Sequence, residues 1–166
     1  MSETKVKGLA ELKAALAQLP EKIERNIMRG AIRAGLKPLK EQAAANIRSV
    51  SGQLADSVRV GTKTKKGAVI GTVTAGVSKK NKRPYYAHMV EFGTKRHIIK
   101  ARRGKLLAIG VAKVDHPGAR PKPFMRPALD ATQAQVLEGV REYVRTRLAT
   151  KHGIDVPAPL AEGDEP

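Results

Sequence analysis

Residues 57–77 read S-V-R-V-G-T-K-T-K-K-G-A-V-I-G-T-V-T-A-G-V, and the period of this stretch decides the fold class. Val58, Val60 and Thr62 alternate with Ser57, Arg59 and Gly61, the signature of a half-buried strand. Val69, Val73, Ala75 and Val77 share one face of a second alternating run. Lys63 to Gly67 predicts the hairpin loop between them, and Lys79 to Pro84 a second charged turn. Further on, Tyr85 to Phe92 fits a third short strand or the start of a helix. Thr94 to Lys105 is too basic and Gly-punctuated for a core, whereas the apolar run Leu106 to Val111 predicts a buried strand.

Helical periods flank this β region on both sides. Leu9, Leu12, Leu16 and Leu19 follow the spacing of one helix face. Pro20 interrupts, and a second helix is expected from Glu21. Its stripe is Ile23, Ile27, Ile32, Leu36, Leu39, Ala43 and Ile47, with a kink predicted at Gly35 and Pro38 and an end at Ser49 to Gly52. After the β region, Pro127 can open a closing helix whose predicted stripe is Leu129, Val136, Val140, Val144 and Leu148, with Gly153 as its stop. The fold class is therefore α+β: N-terminal helices, a small mostly antiparallel sheet with long basic loops, and a closing C-terminal helix. One domain is expected over 1–154, with 155–166 as an acidic, Pro-rich disordered tail.

A chain of 166 residues has length enough for one core without staples. Aromatics make up only 3%, so that core is aliphatic. The absence of Cys excludes disulfides, thiolate metal sites and a cysteine nucleophile. Met1 to Gly8 lacks the apolar segment of a secretory signal, and no run suits a membrane span, so a protein used without secretion is expected.

The net charge of +17 is not spread evenly. Residues 57–126 hold eighteen Lys and Arg against only Glu91 and Asp115, a net +16, while 127–166 are net acidic. The clusters are Lys63, Lys65 and Lys66; Lys79, Lys80, Lys82 and Arg83; and Lys95, Arg96, Lys100, Arg102, Arg103 and Lys105. The last two are candidates to face DNA or an acidic partner. Few aromatics lie between them to stack on bases, so any contact is expected to be non-specific.

Catalytic and metal readings have little to stand on. His88, His97, His116 and His152 lack the H-E-x-x-H spacing or a second ligand pair, and no nucleophile elbow or phosphate loop occurs. A hydrolase using His88, Glu91 and His116 is the weakest reading, and Glu91 and Asp115 are better taken as charge partners. No cofactor, no metal and no enzymatic activity are expected.

Two motifs are over-specified for packing alone. Tyr85-Tyr86-Ala87-His88-Met89-Val90-Glu91-Phe92-Gly93-Thr94 places a Gly where the chain can turn without strain. His116-Pro117-Gly118-Ala119-Arg120-Pro121-Lys122-Pro123-Phe124-Met125-Arg126-Pro127-Ala128-Leu129 has prolines that hold an extended path and deliver Phe124 and Met125 as apolar anchors. Those anchors pack either on the chain's own core or on a neighbouring subunit.

E-F-G-T followed by H-P-G-x-x-P-x-P-F-M-R-P-A-L resembles the neck, or head–tail joining, protein family of tailed bacteriophages, named for gene product ten of a lambdoid siphophage. The likeness extends to the N-terminal helix, to Ser51-Gly52-Gln53-Leu54-Ala55-Asp56-Ser57 and to the closing helix, covering roughly residues 8–150. It implies a non-enzymatic virion component at the portal–tail junction, a homo-oligomeric ring with a hexamer as the expected form. Adjacent neck, connector, tail-terminator or tail-tube proteins would be its partners, with no membrane involved. Under the resemblance, Glu91, Phe92, Gly93, Thr94, His116, Pro117, Gly118, Pro123, Phe124, Arg126 and Pro127 form a shared structural element near subunit contacts. The alternative is a non-specific nucleic-acid-binding protein using residues 57–126.

Overall fold

Two long antiparallel helices frame the molecule, and the rest of the chain is hung on them. The computed structural model describes residues 9–47, 52–76, 85–101 and 105–156. In chain order these form α1 (Leu9–Ala17), α2 (Glu21–Asn46), α3 (Gln53–Asp56), β1 (Arg59–Lys65), β2 (Ala68–Thr74), α4 (Ala87–Phe92), β3 (His97–Lys100), β4 (Lys113–His116) and α5 (Met125–His152).

Helix α2 begins after Pro20, with Glu21 and Glu24 in the first turn where carboxylates favour the positive end of the helix. Its buried residues, Ile27, Ala31, Gly35, Leu39 and Ala43, recur every fourth position and face α5. The expected end at Ser49 to Gly52 is corrected: helix α2 runs on through Gly35 and Pro38 and stops at Asn46. Gly35 serves close approach. A Cβ there would lie 2.6 Å from the Val136 carbonyl oxygen, and one on Gly139 would lie 3.1 Å from the Gly35 Cα. The two helices thus pass backbone to backbone at this point.

Small residues at the crossing also explain a second correction. On α5 the buried positions are Ala128, Thr132, Val144 and Leu148, whereas Leu129 is exposed. Ala128 and Thr132 fit under α2, and Leu129 sits about 100° further round the helix. The helix stops at Gly153 as its sequence predicts.

Hydrophobic burial divides between the two ends of this helix pair. At one end Leu12, Leu16, Ile27, Ala31, Val144 and Leu148 pack together, closed by α1. Val156, placed by the sequence in the tail, is buried in the same cluster; residues 157–166 lie outside the described residues. At the other end Leu39, Ala43, Leu54, Val58, Ala87, Phe124 and Ala128 form the second cluster.

Strands β1 and β2 pair antiparallel from Arg59↔Thr74 to Lys65↔Ala68. The loop expected over Lys63 to Gly67 is therefore tighter, just Lys66 and Gly67, both at positive φ (50° and 81°). Such turns match the right-handed twist of the strands they join. The inner face of β2 lies on α2: a Cβ on Gly71 would collide with Ile32 and lie 2.6 Å from Leu36 Cδ1. Strands β3 and β4 pair antiparallel from His97↔His116 to Lys100↔Lys113 and form a separate ribbon. The α+β class stands, with two antiparallel ribbons in place of one sheet.

The third correction concerns Leu106 to Val111. This run is not a buried strand but the tip between β3 and β4, closed by Leu107 N–H to the Val111 carbonyl and Gly110 N–H to the Leu107 carbonyl, both 2.8 Å. Leu106 is 65% exposed and Ile109 67%. An apolar run becomes a core strand only if another layer covers it, and none does among the described residues.

Candidate functional site

The two over-specified motifs meet in space and clasp each other. Tyr85 to Phe92, ambiguous in sequence, forms a turn and the short helix α4. The chain leaves α4 through Gly93 at φ 71°, where a Cβ would lie 2.6 Å from the Ala119 carbonyl oxygen and 2.8 Å from Pro121 N. Thr94 then bridges to Ala119. The Thr94 N–H donates to the Ala119 carbonyl (2.9 Å), and the Ala119 N–H donates to both the Thr94 carbonyl (3.1 Å) and Oγ1 (2.9 Å).

On the opposing strand, Gly118 (φ 92°) is pressed against the Thr94 carbonyl and leaves no room for a side chain. Its N–H donates to His116 Nδ1 at 3.0 Å. Residues 117–123 form neither helix nor strand, and the Lys122 N–H reaches the Val90 carbonyl at 2.8 Å. Both glycines are therefore required by close approach and by backbone angle together.

Glu91 completes the clasp. Helix α5 has Phe124 at its N-cap, which offers no side-chain acceptor, and no acid in its first turn. Glu91 takes that place from α4. Its Oε2 accepts the Phe124 N–H (2.7 Å) and the Met125 N–H (3.0 Å), and its Oε1 accepts the Arg126 N–H (3.3 Å). Burial pushes the carboxyl pKa up, but the three backbone donors and the Arg126 charge outweigh it and hold it below the ordinary value. Both oxygens are engaged, so Glu91 acts as a borrowed helix cap.

Phe124 is 2% exposed and lies in the chain's own core, with its carbonyl accepting from Asn46 Nδ2 at 3.1 Å. Phe92 is exposed, and the Arg126 guanidinium lies 5.2 Å from its ring centroid, a cation–π stack. Pro117, Pro123, Arg126 and Pro127 are exposed as well. Pro123 and Pro127 line a half-open cleft of about 550 Å³ with Asn46, Ile47 and Val90.

The β3–β4 ribbon projects from this clasp. Lys95, Lys100 and Lys105 are exposed along it. Arg96 is bonded to Asp115, its Nε lying 3.0 Å from each carboxylate oxygen. That hydrogen bond holds the Asp115 pKa down and raises that of Arg96. Asp115 is thus a charge partner as its sequence context suggests, and one cation of the cluster is locally neutralised. Lys79, Lys80, Lys82, Arg83, Arg102 and Arg103 lie outside the described residues. Lys63, Lys65 and Lys66 sit on the other hairpin, β1–β2. Among the described residues no group of His, Asp and Glu is arranged to hold a metal ion.

Ser51 to Ser57 also acquires a physical role. Leu54 is buried in the second cluster, and the Ser57 hydroxyl donates to the Leu54 carbonyl (2.6 Å) while accepting the Gly76 N–H (2.9 Å). It pins the start of β1 to the end of β2. Ser51 itself is outside the described residues.

A family described as "Bacteriophage HK97-gp10, putative tail-component" matches residues 10–93. The chain belongs to this family. Membership makes it a structural phage protein of the tail-component type and a constituent of the virion. No curated protein and no solved structure matches it. The matched span of this tail component ends on Gly93, within the first clasp motif, while the partner motif from His116 onward lies beyond it. The geometry, not the family match, ties the second motif to the first. No described helix of the tail component is long and apolar enough to cross a membrane.

Borrowed capping by Glu91 was not legible in sequence. The signal available was indirect: α5 opens without a Ser, Thr, Asp or Asn before it, although helices need their first N–H groups satisfied.

Proposed function

We propose that this tail component is a non-enzymatic ring subunit at the head–tail junction, a neck or tail-completion protein that joins the capsid connector to the tail as a hexamer. One observation carries this: the residues of both motifs make a backbone-level clasp that fixes how a protruding ribbon leaves the helical body. A rigid root beneath an exposed, apolar and basic arm suits assembly. Native mass measurement, alone and with neighbouring tail and connector proteins, is expected to find a six-copy species, and purified virions to contain the protein. A chain that stays monomeric in every mixture and is missing from virions would overturn the proposal.

The exposed Lys95, Lys100 and Lys105 favour a second reading, non-specific contact with DNA passing the junction or held by the free protein. Mobility-shift affinity should then fall steeply with salt. Replacing the three lysines by Ser should shallow the log–log slope by about 1 per lost phosphate contact. Binding that is absent at low salt would end this reading.

A further inference from the structure

The ribbon tip and a groove at the far end of the helix pair are complementary. The tip presents Leu106 and Ile109, each about two-thirds exposed, with Lys105 beside them. Strand β3 is exposed along all four residues. A two-stranded ribbon without a covering layer is only marginally stable alone, and clustered exposed aliphatics mark an interaction surface. The groove lies between α1, α2 and α5 and is lined by Leu12, Leu16, Met28, Leu137 and Val144. Its volume is about 280 Å³, just below the ~300–1,000 Å³ of small-molecule sites, a size for aliphatic side chains. Of its charged lining residues, Arg141 is paired with Glu138 at 3.0 Å, while Glu24 and Lys13 make no ion pair among the described residues. Glu24 is thus the one acid there open to an incoming cation.

The root of the knob and the groove are set apart along α5. The ribbon is rooted where α5 begins, while the α5 residues of the groove start at Leu137, twelve residues on, or roughly 18 Å along the axis. We propose that the tip of one copy, Leu106 and Ile109, seats in the Leu12–Met28–Leu137 groove of a second copy, with Lys105 meeting Glu24. Such a contact is heterologous: each copy gives a knob and receives one, so repetition closes a ring or extends a filament. The inference rests on the oligomeric reading above and names the surface that builds it.

The natural absence of Cys makes cross-linking clean. Ile109→Cys and Leu137→Cys both alter exposed side chains and should leave the fold intact. Mixed and mildly oxidised, the two variants should give a disulfide-linked dimer, because docking brings the Cα atoms within about 7 Å. Each variant alone should remain mostly unlinked. The double variant should give a ladder of linked oligomers. Lys105→Glu should weaken assembly roughly two- to fivefold, with recovery on adding Glu24→Lys. An assembled protein that gives no mixed dimer, or links 109 to 109 as readily, overturns this contact while the ring reading survives. A linked monomer of the double variant shows the arm on its own groove and overturns it too. A chain that never assembles and is absent from virions removes the ring reading as well.

Discussion

Phe124→Ala is expected to destabilise the protein by about 3–5 kcal/mol, the range for truncating a buried aromatic. Phe124 is one of only two Phe in a chain without Trp, and it is almost fully buried among Leu39, Leu54, Val58 and Ala87. Neighbouring Ala43, Ala87 and Ala128 are too small to collapse into the space, so a cavity persists. Against a total stability of ~5–15 kcal/mol the loss is severe. At about 2–4 °C per kcal/mol for a domain of this size, the melting temperature should fall by roughly 6–20 °C. Thermal and urea unfolding measure it, and a change under about 1 kcal/mol would contradict the placement of Phe124 in the core. Phe124→Leu should cost much less, because it refills most of the volume. If the alanine variant fails to assemble while the leucine variant assembles, the cause is lost folding rather than a lost subunit contact.

Glu91→Ala should cost about 2–3 kcal/mol, combining a lost helix cap with buried backbone donors left unpaired. Glu91→Gln, which keeps an acceptor oxygen but loses the charge, should cost about half of that. The pH dependence has a definite sign. The folded carboxyl pKa lies below the ordinary 4.5, so the unfolded chain binds the proton more readily. The Glu91 contribution is complete above about 4.5, then shrinks as pH falls through that value and on through the lower folded pKa. Urea midpoints of the wild type and Glu91→Gln should therefore converge toward acid pH. Curves that stay parallel from neutral pH to below the folded pKa would show that Glu91 is not the ionised cap of α5.

Much of the architecture was legible in the order of residues. The shift from helical to alternating period near Ser57, and back after Phe124, specifies α+β because the two periodicities bury different faces. The E-F-G-T and H-P-G motifs carry the family likeness, which the match over 10–93 supports as far as Gly93. The stop at Gly153 and the buried positions Leu12, Leu16, Ile27, Leu39 and Ala43 follow from local chemistry, whereas Ala31 and Gly35 of α2 are buried in place of the expected Ile32 and Leu36.

Other features depend on which distant groups meet. The apolar run at 106–111 has the composition of a core strand, yet no layer covers it among the described residues, so it became an exposed tip. Gly35 reads as a kink site in isolation; that its lack of a side chain admits Val136 and Gly139 of α5 is visible only in the fold. Glu91 reads as a charge partner in a basic region, but its bonds are to backbone N–H groups. Only tertiary structure carries it 33 residues along the chain to three N–H groups that have no local acceptor. Local order determined the elements, because periodicity and turn chemistry act over a few residues. Long-range packing decided the clasp, because capping and close approach require partners that sequence spacing does not encode.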